Sequence, residues 1–180
     1  MEIEPASGAV DRRARLGLTI ALGLYGLFLL LRPGHFGWLD AVDVAIHETG
    51  HLVFSPLGEL PHVLGGTLLQ LIMPSAFVWY FARRGDQHAA SVALWWVAQN
   101  LWNVSVYVGD ARRQELPLVG GGEHDWAYLL EAAGLLERDQ LVGGMVRLAG
   151  AVVFGLATLW GLATAATPAG PSEGRAADAP

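Results

Sequence analysis

The sequence predicts an all-α fold: a multi-span transmembrane bundle of about four to five membrane helices and one short amphipathic helix. Three observations support this prediction. Of the 180 residues 53% are hydrophobic, only 16% are charged, and the apolar residues lie in long blocks. Such blocks indicate membrane spans, because a helix satisfies its own backbone hydrogen bonds in hydrocarbon. We therefore expect an integral multi-pass protein of the cell membrane, in contact with membrane lipid.

Charge and cysteine content exclude several other classes. The formal net charge is -6, and the acidic residues lie mostly at the ends and between the apolar blocks, so no basic face is left for nucleic acid. The chain contains no cysteine, so a metal site has to be built from His, Asp or Glu. Composition leaves the oligomeric state open.

The first half of the chain contains one span and one shorter helix. Residues 1–15 form a polar N-terminal segment, and residues 16–163 form the integral membrane domain. Residues 16–31 are apolar and can cross if Arg15 and Arg32 extend to the two interfaces. The next helix, residues 40–54, is marginal in length for a full crossing.

The rest of the sequence predicts three more apolar helices, at 64–81, 89–108 and 141–163. A loop is expected at 58–66, followed by an apolar block at 64–81 that Pro74 kinks and by a block at 89–108. Polar side chains at membrane depth are costly unless they face protein or water, so those of the 89–108 block should point inward; they are Gln99, Asn100 and Asn103.

The C-terminal part begins with a short amphipathic run at 127–136, after a loop that contains three glycines at 120–122. Residues 141–163 form the last predicted span. The final segment, 164–180, is rich in Ala, Pro and Gly and is expected to be a disordered tail.

The chemical signal is the pattern His47-Glu48-Thr49-Gly50-His51 within the second helix. Residues four apart share a helix face, so His47 and His51 can bind one Zn²⁺ while Glu48 lies beside its open position as catalytic base. This pattern is typical of zinc hydrolases. The alternative is a satisfied polar cluster, but three ionisable residues in an apolar run are costly without a purpose.

A catalytic zinc usually has three protein ligands, so a third is expected from elsewhere. Asp110, at the end of the 89–108 block, and His124, after the glycines, are the two candidates. Other polar residues are candidates for supporting the ligands or contacting substrate: Asp43, Asn100, Asn103, His124 and Asp125. For Asp125 the competing interpretation is a helix cap.

Two membrane orientations are compatible with the arginines. If the motif helix does not cross, residues 12–15 and 83–84 share the cytoplasmic side, both termini are cytoplasmic, and the histidines, Asp110 and His124 approach the opposite side. If it crosses, residues 112–113 become cytoplasmic and the C-terminus lies outside.

The motif in an apolar helix, with an aspartate at the end of a later block, resembles the intramembrane zinc metalloproteases of the site-2 protease family, as a small and atypical member. The resemblance implies zinc bound by His47, His51 and Asp110, Glu48 as base, and a membrane or juxtamembrane peptide as substrate. Two alternatives stay open: a non-catalytic metal-binding protein for structure, sensing or transport, and a hydrolase of a lipid amide or ester.

Overall fold

The computed structural model describes residues 6–119 and 123–165, and this part of the chain contains helices and no strand. The all-α prediction is therefore confirmed. Short 3₁₀ turns at Ser55–Leu57 and Leu136–Arg138 precede the third and sixth helices. The helices are α1 (Ala6–Leu31), α2 (Trp38–Phe54), α3 (Glu59–Arg83), α4 (Gln87–Gly109), α5 (Asp125–Ala132) and α6 (Asp139–Ala165). The glycines 120–122 and nearly all of the predicted tail lie outside the described residues.

Three segments within the described residues are long and apolar enough to cross a membrane: Arg12–Leu31 in α1, Glu59–Arg83 (all of α3), and Leu136–Ala165, which contains α6. Their outward surfaces are apolar, with Leu24, Trp79 and Leu159 each more than 60% exposed. This composition is compatible with a membrane protein, because lipid replaces water around such side chains. The number of four to five membrane helices remains a prediction.

Helix α4 is the centre of the bundle and packs against α1, α3 and α6. Ala90, Ala98 and Val108 are completely buried along its length. Because protein surrounds most of this helix, its polar side chains can bond to other helices instead of facing lipid. Gln99 and Asn100 are buried, as predicted from their polarity.

The middle of α1, the start of α4 and the end of α6 meet at one end of the bundle. The hydroxyl of Thr19 in α1 lies 3.0 Å from Nε2 of His88, in the first turn of α4, and Gly161 near the end of α6 packs against Thr19. The turn at Arg83 and Arg84 is at this same end. The arrangement is compatible with the orientation in which the motif helix does not cross, which stays a prediction.

Helix α2 lies at the opposite end of the bundle. Its Asp40 contacts Gln99 in the middle of α4, and its His47 lies against Tyr107 near the end of α4. Only half the length of α4 is therefore matched by α2.

The C-terminal end of α1 does not reach the level at which α6 begins. The Arg147 guanidinium donates a hydrogen bond to the carbonyl of Leu30 in the last turn of α1. Arg147 lies about two turns inside α6, so the first turns of α6 extend beyond the end of α1. A space is left there between α2 and α6.

The predicted loop at 58–66 is wrong, because α3 begins at Glu59. The segment contains Pro61, which is the third residue of the helix. The first backbone N–H groups of a helix have no partner within it, so proline costs little there. The N–H of His62 already donates to Gly58 O at 3.0 Å.

Candidate metal site

His47, His51 and Asp125 form a group whose ligand atoms all lie within 4.8 Å of one another. Asp125 Oδ2 is 2.9 Å from His47 Nε2 and 3.3 Å from His51 Nε2. The two histidines are one turn apart on α2, and Asp125 is the first residue of α5. The expected pair of ligands on one helix face is therefore joined by a carboxylate from another helix.

The ring of His51 is held by the backbone of α3. Its Nδ1 lies 2.8 Å from the carbonyl oxygen of His62, which only accepts hydrogen bonds. The neutral imidazole therefore carries its proton on Nδ1 and directs the lone pair of Nε2 towards Asp125. His62 bonds in return through its own Nδ1 to the carbonyl of His51, at 2.9 Å.

The ring of His47 is held by a chain of hydrogen bonds that ends at a carboxylate. Asn103 donates to Asp40 Oδ1 at 3.0 Å, and Gln70 donates to Asn103 Oδ1 at 2.9 Å. Because an ionised carboxylate only accepts, each amide has one allowed orientation, and Gln70 Oε1 faces His47 Nδ1 at 3.1 Å. His47 therefore also carries its proton on Nδ1.

With their protons on Nδ1, His47 and His51 direct the lone pairs of Nε2 towards Asp125 Oδ2, at 2.9 and 3.3 Å. A metal ion held by the three atoms would remove their mutual repulsion, and so would a second proton on an imidazole, whose Nε2–H would then donate to Asp125. Ligand atoms about 2.0 Å from a tetrahedral zinc ion are about 3.3 Å apart. The donor set fits zinc, and the contact of His51 with Asp125 has this spacing, while that of His47 with Asp125 has the length of a hydrogen bond.

Glycines allow α2 and α3 to approach closely behind this group. A Cβ atom on Gly66 would lie 2.5 Å from His47 Nε2, and one on Gly50 would overlap the carbonyl of Gly65. Any larger residue at these positions would displace the His47 ring or separate the helices. Gly50, inside the motif, is therefore part of the helix contact that positions the histidines.

The start of α5 positions Asp125. The Asp125 N–H donates to the hydroxyl of Tyr107 in α4 at 3.1 Å. Nδ1 of His124 accepts from the Ala127 N–H at 3.2 Å, so His124 is the N-cap of this helix. The interpretation of Asp125 as the helix cap is wrong, because His124 is the cap. The Asp125 carboxylate faces the two histidines instead.

Asp110 and His124 were the two expected third ligands, and the structure brings neither into the group. Asp110 accepts from the N–H groups of Glu115 and Leu116, and its Oδ2 lies 3.5 Å from His124 Nε2. Burial lowers the pKa of His124, and the nearby Asp110 and Asp125 carboxylates only partly oppose this effect. A neutral His124 agrees with its role as acceptor at the start of α5.

Of the supporting residues expected on α2 and α4, Asn103 belongs to the hydrogen-bond chain that holds His47, and Asp43 and Asn100 do not. Asn103 links Gln70 to Asp40. Asp43 is completely buried one turn before His47, but it accepts from the Trp96 indole at 2.9 Å. Asn100 donates to the Trp96 carbonyl within α4, so the bond between Trp96 and Asp43 is the one that connects α4 to α2, away from His51 and Asp125.

Glu48 lies where two cavities meet. A cavity of about 340 Å³ extends from His47 and Glu48 along α4 towards the end of α1, and another of about 400 Å³ extends from the same residues towards the start of α3. Tyr107 lines both. The half-buried Glu48 carboxylate can therefore contact water and substrate beside the two histidines.

Sequence reasoning missed Gln70 and the place of Asp125 beside His47 and His51. Gln70 is the one carboxamide in the apolar block 64–81, and it is buried, with 2% of its surface exposed. An isolated amide in such a block is a usable signal of an inward hydrogen bond. Asp125 had no comparable signal, since it stands in a polar loop.

No protein-family model, curated protein or solved structure matches this chain. The resemblance to site-2 proteases therefore rests on the motif and its apolar setting.

Proposed function

We propose that the protein is a membrane-embedded, zinc-dependent metallopeptidase of the site-2 protease type that hydrolyses membrane or juxtamembrane peptides. The observation that carries this proposal is the group formed by His47, His51 and Asp125 beside Glu48. Acceptors hold the Nδ1 proton of each histidine, which leaves both Nε2 atoms available to a metal ion. Glu48 on the same helix gives this site a base.

Each residue has a role in this reaction. Bound zinc would supply a Lewis acid that lowers the pKa of water and polarises the peptide carbonyl. His47, His51 and Asp125 would hold it. The Glu48 carboxylate accepts a proton from the attacking water and then gives it to the leaving amine. Gln70 and the carbonyl of His62 keep the two imidazoles in the ligating tautomer.

The non-catalytic alternative would be favoured by a closed site with four protein ligands. Among the described residues, Asp110 and His124 pair with each other, and the group has three members. A position is thus left for water, which supports the enzyme. The lipid amide or ester alternative uses the same residues and differs in substrate only.

The test is zinc content and hydrolysis measured together. Purified protein should contain one zinc per chain and cleave members of a panel of membrane peptides, with activity lost on chelation. Glu48→Gln should keep its zinc and lose hydrolysis by about 10²- to 10⁴-fold, the usual contribution of a general base. Glu115→Gln, at an exposed position outside both cavities, is the matched control.

Retained peptide hydrolysis by Glu48→Gln would contradict the proposal. Zinc-dependent cleavage of lipid amides or esters in a parallel panel, without cleavage of peptides, would replace the peptidase by the lipid hydrolase. A zinc-loaded wild type that cleaves neither panel would favour the non-catalytic alternative.

A further inference from the structure

Arg147 is a half-buried cation without a carboxylate partner among the described residues. It interrupts α6, whose residues 140–165 contain no other charged side chain. Its one hydrogen bond goes to the carbonyl of Leu30, and a guanidinium has five N–H donors. A cation at such depth is costly unless an anion or water meets the remaining donors. The space beside it is therefore the place to look for an anion.

That space is the 340 Å³ cavity, which continues from Arg147 to the metal group. Leu29, Val44 and Val106 give it an apolar wall, and His47 and Glu48 line its other end. Arg32, exposed in the turn after α1, lines it together with Arg147. The cavity thus combines an apolar wall, a reactive end and a cationic end.

Asp40 also lines this cavity, but its oxygens are already engaged. Oδ1 accepts from Gln99 and Asn103 at 3.0 Å, and Oδ2 accepts from the N–H of Gly37 at 2.7 Å. No salt bridge joins Asp40 to either arginine in the described part of the chain. The positive charge of Arg147 and Arg32 is therefore available to a ligand.

We propose that this cavity binds the substrate peptide through a carboxylate, which pairs with Arg147 and Arg32 while the peptide's apolar side chains contact the wall. This proposal rests on the metallopeptidase function and specifies its substrate class. A planar guanidinium binds a carboxylate through two parallel hydrogen bonds. The carboxylate is either the C-terminus of the peptide or an acidic side chain.

The test measures binding in the absence of turnover. Glu48→Gln protein in detergent is titrated calorimetrically with the peptide acetyl-(Leu-Ala)₃-Leu as the free acid, as the C-terminal amide, and as the amide with one internal Ala replaced by Glu. At least one carboxylate form should bind about 10-fold more tightly than the neutral amide, and which one identifies the source. A preference for either form should persist after chelation, because the metal is not its cause.

Variants identify the cation responsible. Adding Arg147→Gln should remove the carboxylate preference and leave affinity for the neutral amide unchanged, whereas loss of helix packing alone would weaken all three peptides. Arg113→Gln, at an exposed position outside both cavities, should retain the preference. Arg147→Lys should keep part of it.

Equal affinity for all three peptides, or a preference that survives Arg147→Gln, would overturn the carboxylate site. So would a preference that disappears on chelation. Tighter binding of phosphatidic acid than of the free-acid peptide, in the same titration, would assign Arg147 to a lipid phosphate. None of these outcomes bears on catalysis, which the Glu48→Gln activity assay tests separately.

Discussion

At the scale of single residues, the spacing within the motif predicts the two histidines of the candidate site but not its carboxylate. His47, Glu48 and His51 are close in sequence, so one helical turn was enough to predict that the two histidines share a face. Asp125 is 74 residues beyond His51 and reaches it because Tyr107 and the His124 cap position the start of α5. Asp110, one of the two expected third ligands, lies 3.5 Å from His124 at the start of α5 and outside the group of His47, His51 and Asp125.

Asp125→Ala should reduce zinc affinity strongly, by at least 100-fold, because it removes one of three ligands. Asp110→Asn should still bind one zinc per chain, with an affinity reduced by less than 10-fold through a less ordered α5. Competition with a calibrated chelator measures both dissociation constants. The reverse order of effects would restore Asp110 as the third ligand.

Gln70→Leu should weaken zinc binding by about 10- to 100-fold, the range found when a partner of a ligating histidine is removed. Its physical cause is loss of the acceptor that keeps the His47 proton on Nδ1. The control is Ser75→Ala, an exposed position on the same helix. Unchanged zinc affinity in Gln70→Leu, measured in the same chelator assay, would show that the hydrogen-bond chain does not orient His47.

At the scale of helices, the contact between α2 and α3 depends on residues without side chains. Gly65 and Gly66 stand at the N-terminal end of an apolar block and were read as part of a loop, because Pro61 and three glycines are breakers in water-soluble proteins. Within a bundle the same glycines let two backbones touch. Composition alone does not distinguish these two uses, which is why α3 was predicted too short.

Gly50→Ala should destabilise the fold by about 1–3 kcal/mol or more, since the added methyl group overlaps a backbone carbonyl that cannot rotate away. Gly144→Ala on α6 meets no atom within 4 Å and should be neutral, or stabilising by up to about 1 kcal/mol. Thermal unfolding in detergent measures both. A Gly50→Ala protein as stable as the wild type would contradict the close contact.

At the scale of the whole molecule, the apolar blocks predicted the order of the helices that the structure describes, because apolar segments have to be buried in lipid or protein, while the number of membrane helices stays a prediction. The depth of each helix was not predictable from its own sequence. Both α2 and α4 are apolar, yet α4 occupies the centre with polar residues inside, and α2 lies along half of it. Depth is fixed by contacts such as Thr19 with His88, which join residues 69 positions apart.

The absence of cysteine makes the arrangement of the two ends directly testable. In intact cells, Glu115→Cys should react with a membrane-impermeant maleimide, and Arg84→Cys should react only after lysis, because the two positions lie at opposite ends of the bundle. Modification of both in intact cells would contradict this topology. Modification of Arg84→Cys alone would keep the topology and reverse the orientation expected from the arginines.

The early end of α1 has a consequence for how such a protein could be altered. Since α1 ends at Leu31, beside the cavity, the length of α1 determines the length of the space between α2 and α6. One more turn, about 5.4 Å, would push its end into the space that leads to Glu48. Proteins with a longer first helix would then bind shorter ligands in this cavity, and proteins with a shorter first helix would bind longer ones. The positions of His47, His51 and Asp125 would not change.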